Sequence, residues 1–190
     1  MENNILTVGI LVILGFLIAL VYSMHINAAK NVVKDISLLY RVMQRVINNT
    51  DADRFLILGL HNGGRKLDVH SKRYITIFEE VNNPNVPSIK GDYKKVMVDG
   101  PYIHLINQLI SQGVVFGWTK DLPGGLLKEA YQKDGINYYH IFYIGYRQNT
   151  YFFGSASTTS QVSMEDSSQW MEIKLATNKI KQLINKRRFF

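Results

Sequence analysis

The 190 residues contain no cysteine, which removes disulfides, thiolate metal sites and cysteine nucleophiles from the available chemistry. The same absence leaves the cellular compartment open, because exported proteins without cysteine are common. Charge is missing between Ile5 and Met24, where only Thr7, Gly9, Gly15, Tyr22 and Ser23 relieve an apolar run. At about 1.5 Å per residue such a run reaches roughly 30 Å as a helix, the thickness of a bilayer core. A cleavable signal peptide would want a basic start, a shorter apolar core and small residues at the cut. Glu2 is the one charged side chain before the run, and Tyr22-Ser23-Met24-His25 is a poor cleavage site, so an uncleaved anchor over residues 1–25 is expected.

Motifs of catalysis and nucleotide binding are missing as well. There is no GxSxG elbow, no SxxK, no HExxH, no P-loop and no dinucleotide loop. Glu79 and Glu80 end a strand on opposite faces, and no other carboxylate pair stands out. The expectation is a non-catalytic chain with no cofactor and no metal. Five histidines, at 25, 61, 70, 104 and 140, raise a metal reading for His61, Asp68 and His70, but no ligand spacing supports it.

What is present is basic. The net charge is +7, and Lys30, Lys34, Arg41 and Arg45 follow the apolar run against Asp35 alone. The positive-inside rule then puts the amino terminus outside and the rest in the cytoplasm. An anionic lipid surface suits that charge; the basic residues are not interleaved with aromatics, so no specific nucleic acid is expected.

Ile26, Ala29, Val33, Ile36, Tyr40, Met43 and Ile47 recur at spacings of three and four, the seam of a stalk helix over 26–50 that pairs with another helix. Val32, Leu39 and Val46 widen the stripe, which points to contact with the domain's own sheet too. Strands are expected at 53–60, 73–81, 114–119, 137–147 and 150–157, with a short extended piece at 94–98. The hairpin through Gln148-Asn149 is the clearest unit. Helices are expected at 102–112, closed by Gly113, at 126–132, and at 166–188, whose basic end suits the helix dipole. Antiparallel strands with terminal helices on one face make residues 51–190 an α+β domain, and helices 26–48 and 166–188 are the expected surfaces of homo-oligomerisation.

This order of elements resembles the GAF/PAS class of small-molecule-sensing domains. An apolar strand running into His61-Asn62-Gly63-Gly64, after one membrane helix, resembles the GAF-like domains of membrane-anchored, phage-encoded proteins called holin-like. That resemblance implies that the membrane is the inner membrane of a bacterial host, and that membrane helices assemble there into lesions that release an endolysin, with the soluble domain as regulator. It also implies a pocket on the sheet face opposite the terminal helices, for which Trp118, Tyr139, Tyr143 and Phe152 are candidates among the aromatics of the later strands. Those aromatics equally suit a core and an interface. The HNGG stretch itself reads as a turn in which His61 and Asn62 have positional roles, or as a nest of amides holding an anion beside Arg65 and Lys66. The two function classes left open are a self-associating membrane module and a tethered small-molecule sensor or scaffold; a virion or ejection role is a variant of the first.

Overall fold

The computed structural model describes residues 2–63 and 73–185, with side-chain detail from Leu14 onward. Gly64 and the loop through Lys72, with Asp68 and His70, lie outside the described residues. Helix α1 (Glu2–Asn49) runs unbroken from the apolar segment into the domain, with no proline anywhere along it. It is long and apolar enough to cross a membrane.

Among the described residues six strands follow: β1 (Arg54–His61), β2 (Tyr74–Asn82), β3 (Val96–Met97), β4 (Val114–Trp118), β5 (Tyr138–Arg147) and β6 (Thr150–Thr158). They form one antiparallel sheet in the order β3-β2-β1-β6-β5-β4. The β5–β6 hairpin closes by a two-residue turn with positive φ at Gln148 and Asn149, the geometry that matches the right-handed twist of its strands. The extended piece expected at 94–98 shrinks to two paired residues, since Lys95 takes a φ of 56°. β1 runs one residue further than expected, so His61 is the end of a strand.

Helix α4 (Ser167–Asn185) lies antiparallel to α1 on one face of the sheet: Gln169 bonds Asp51, and Glu172 pairs with Arg45. Between these helices and the sheet sits the larger core, including Leu39, Met43, Val46, Phe55, Tyr138, Phe142, Ile173, Ile180 and Ile184. The expected stalk seam is therefore split. Met43 and Ile47 are buried in the chain's own core, while Ile26, Val33, Ile36 and Tyr40 stay exposed. The physical reason is the widened stripe: Leu39 and Val46 turn the same side of α1 onto the sheet. Helices α2 (Gly100–Gln112) and α3 (Leu126–Lys133) cover the other face.

Close packing on the α1–α4 face leaves no room at Gly154. A methyl added there would stand 2.0 Å from the Phe142 ring. Gly154→Ala is expected to cost about 2 kcal/mol by overpacking, about 6 °C in Tm. Thermal unfolding of the detergent-solubilised full chain checks this, and an unchanged Tm would contradict the close approach.

Candidate functional site

Alternation along β1, β5 and β6 sends every second side chain away from α1 and α4, toward α2 and α3. There Leu56, Ile75, Ile106, Leu109, Tyr131 and Phe153 help to enclose a cavity of about 40 Å³. That is space for about three waters at most, whereas drug-sized ligands occupy pockets of about 300–1,000 Å³. Its lid is fastened by one carboxylate. Asp99 accepts from the Tyr102 amide at 2.9 Å, capping α2, and from the Leu126 amide at 2.7 Å, at the start of α3. Gly125, at φ 136°, permits this approach; a Cβ there would fall 2.5 Å from the Asp99 carboxylate.

The cavity's neighbourhood holds a buried ion pair. Arg54 and Glu80 side chains are 3% and 4% exposed, with Nε and Oε1 3.3 Å apart. Arg54 also donates to the Pro87 carbonyl at 2.9 Å. Glu80 accepts from the Ser88 hydroxyl, the Ile89 and Lys90 amides and Asn82. Burial alone would raise the Glu80 carboxyl, but these hydrogen bonds outweigh it and hold the pKa below its usual value. The pair thus pins residues 87–90 beside the cavity. Tyr93, from the same segment, donates to Asp134 at the end of α3 at 3.3 Å. Burial, then Asp134, pushes the Tyr93 phenol up to about 12. Tyr131 and Ser155 hydroxyls meet at 3.3 Å in the buried layer, and burial raises the Tyr131 phenol too.

The four aromatics expected to share a pocket are divided by the sheet. Tyr139 and Tyr143 pack on the α2–α3 side, Phe152 and Trp118 on the α1–α4 side, and none of the four lines the cavity. Neighbouring Phe153, one residue along β6, does line it.

His61 acts within its own turn. Its Nδ1 accepts from the Gly63 amide at 3.0 Å, so Nε2 carries the proton and donates to the Thr76 hydroxyl at 2.9 Å. Gly63 has φ 64°, and its amide is taken up by His61, so it does not face an anion. Asn62 follows at the strand exit, half-buried. Burial and then Lys95 lower the His61 pKa.

His140, on β5, is packed in a way that has a chemical consequence. The ring is 1% exposed, stacked on Phe116 at 5.1 Å and set against Trp170 at 5.3 Å, and neither nitrogen has a hydrogen-bond partner of ordinary geometry. Burial drives its pKa down to about 4, against the weaker opposing pull of the Met164 main chain and Glu165. Among the described residues no three His, Asp or Glu side chains cluster as a metal site.

No protein-family model matches the sequence, and no curated protein does. Solved structures do match. The GAF domain of a two-component sensor histidine kinase from Bacillus halodurans aligns with a TM-score of 0.55 at 11% identity, over 78% of this chain and 91% of that one. The GAF domain region of a predicted membrane protein from Geobacter sulfurreducens aligns at 0.53 and 14%, over 84% and 96%. A Synechocystis GAF domain in its photoproduct state gives 0.58 and 8%, over 79% and 92%. The fold is that of a GAF domain. At such identities the likeness extends to the fold alone, and the cavity in this chain is small, filled largely by its own side chains.

Two measurements probe these buried groups. Arg54→Met leaves Glu80 buried without its countercharge, and about 3 kcal/mol of stability should go, read as a lower urea midpoint at unchanged slope. A neutral buried His140 contributes stability above the unfolded histidine pKa of about 6.5, lost as pH falls toward the folded value of about 4. The native chain should therefore lose about 2 kcal/mol between pH 7 and pH 5 through this group. His140→Phe should flatten most of that slope, the remainder coming from the more exposed His61. An equal slope in both proteins would rule the burial effect out.

Proposed function

We propose that the chain is a non-catalytic, membrane-tethered GAF module that self-associates through the exposed stripe of α1 together with α4. The observation that carries this reading is the unbroken helix from the apolar segment into the core. Leu39, Met43 and Val46, all essentially buried, belong to the same helix as exposed Val33, Ile36 and Tyr40. Val33 and Ile36, at positions i and i+3, face solvent just before the core begins, Tyr40 at i+7 is partly exposed while its hydroxyl donates to Glu79, and Met171 and Leu175 are exposed on α4. Such a stripe is the seam by which helices pair. Confinement of α1 to a bilayer would raise the local concentration of copies and favour the pairing.

The sensing reading has its own support. The cavity lies on the sheet face opposite the terminal helices, and the matched sensor-kinase domain shares the fold. At about 40 Å³ the cavity needs residues 87–93 or α3 to move before a larger ligand enters, which makes a sensor the second reading. The phage-encoded, holin-like assignment rests on His61-Asn62-Gly63-Gly64 after an apolar strand and on the single helix before it. None of the solved structures named above adds to that support.

The absence of cysteine makes the test direct. Ile36→Cys in the membrane-embedded full chain should form a disulfide-linked dimer as its main oxidised product. Val33→Glu with Ile36→Glu should leave the detergent-solubilised protein monomeric. A native chain that is monomeric in mild detergent, together with an Ile36→Cys variant that does not cross-link, would sink the self-association.

A further inference from the structure

Three elements end at the same height on the molecule. Gln169 meets Asp51 and Glu172 meets Arg45, so α4 descends as α1 rises. At about 1.5 Å per residue on both helices, Asn185 stands level with about position 32 of α1. β1 descends too, covering about 26 Å between Asp53 and His61, which brings His61 to much the same level. The Gln148-Asn149 turn lies just past Tyr151, the partner of Leu60, and Arg147 ties it to α4 by donating to the Ile184 carbonyl at 2.9 Å. If Met24 marks the edge of the hydrocarbon, this level is about 12 Å above it. A headgroup layer of about 6 Å leaves a gap of about 6 Å, shorter than the Debye length of about 8 Å at physiological salt.

This end is basic and aromatic. Lys30 and Lys34 are exposed on α1, Lys95 is exposed beside β3, and Arg73, Arg147 and Lys181 join them. Asp35 and Asp99 oppose them, Asp99 as a carboxylate that accepts from two helix amides, so the basic side chains outnumber the acidic ones at this end. Tyr146 is 47% exposed, with Tyr151 against it at 4.6 Å, and Met97 is 61% exposed. The opposite end carries Asp51, Asp53, Glu165, Asp166 and Glu172, where β1 and α4 begin. Basic side chains with tyrosines between them suit a headgroup layer, where the charge meets anionic lipid and the rings sit at the interface.

We propose that the sheet end formed by Arg73, Lys95 and the 147–149 turn is a second membrane contact, docking the domain on the anionic leaflet from which α1 emerges. The inference rests on the membrane-tethered reading of α1. Its occupant is a lipid surface rather than nucleic acid, because the tether holds this end, and not the acidic one, against the bilayer.

The test uses the full chain in nanodiscs of phosphatidylcholine, with and without phosphatidylglycerol, and a bimane label on Gln148→Cys. With anionic lipid the label should become protected from aqueous iodide, and 1 M salt should expose it again. Reversing Arg73→Glu and Lys95→Glu should cut the docked population at least about tenfold, at about one kcal/mol per basic residue. Lys120→Glu with Lys174→Glu, at the far end, should change nothing. Equal protection in neutral and anionic discs, or equal loss with both variant pairs, overturns the docking while leaving the anchor intact. Weakened binding of an oligonucleotide by Arg73→Glu and Lys95→Glu, with the label unmoved, overturns it in favour of nucleic acid. A chain that fails to float with neutral liposomes after high-salt washing removes the tether itself, and the docking with it.

Discussion

One helix carries both the apolar segment and part of the core. Because the stretch of α1 that carries Leu39, Met43 and Val46 packs against β1, β2 and α4, the domain cannot turn about α1 without opening its largest apolar cluster. Each such side chain is worth about 1.5–3 kcal/mol on burial, so the coupling between apolar segment and domain is stiff on the scale of the whole stability. A flexible linker at this place would let the domain tumble; the continuous helix fixes which end of the sheet faces the apolar segment. The direction of α4, the level of the β5–β6 turn and the placing of basic side chains all follow from that one continuity.

The second face of the sheet is organised by a few buried polar groups. Asp99 serves two helix starts at once, and Glu80 gathers four donors from two segments, its own strand and residues 88–90, in addition to Arg54. A buried ion pair is weak evidence for stability in itself, since apolar replacements of similar volume can do as well. Its effect here is positional: it holds residues 87–90 down over the sheet. The void left inside is small. At about 24 cal/mol per Å³, a 40 Å³ cavity costs only about 1 kcal/mol, so selection for stability alone has little reason to fill it.

Much of the fold was legible because it depends on local rules. The Gln148-Asn149 turn, the left-handed Gly113 after α2 and the period of α4 each announce themselves within a dozen residues. The site was less legible because it depends on which face a side chain takes. Tyr139 and Phe152 look alike in sequence yet lie on opposite sides of the sheet, and a bulge between Tyr143 and Gly145 shifts the alternation in β5. Arg54 falls at the start of an expected strand with nothing local to mark it as buried; its burial depends on Glu80, far off in β2, and on a loop that no short pattern links to it. The seam on α1 was read correctly as a stripe, but one sequence cannot say where a stripe stops serving its own domain and starts facing outward.

His140 shows how such long-range placement turns a packing residue into a titrating one. On an aromatic strand its neighbours in sequence are tyrosines and Ile141, which gave no hint of Trp170 from α4 above it or Phe116 from the edge strand beside it. Both rings must stay close for the imidazole to remain dry, so its protonation and the docking of α4's first turns are one equilibrium. Acid that charges His140 must either pull Trp170 away or leave a cation among aromatics, where attraction to the rings offsets only part of the lost hydration. The first turns of α4 also carry Gln169 and Glu172, which hold the upper end of α1. The acid sensitivity of one buried imidazole is thereby linked to the helix pair on which the orientation of the whole domain depends.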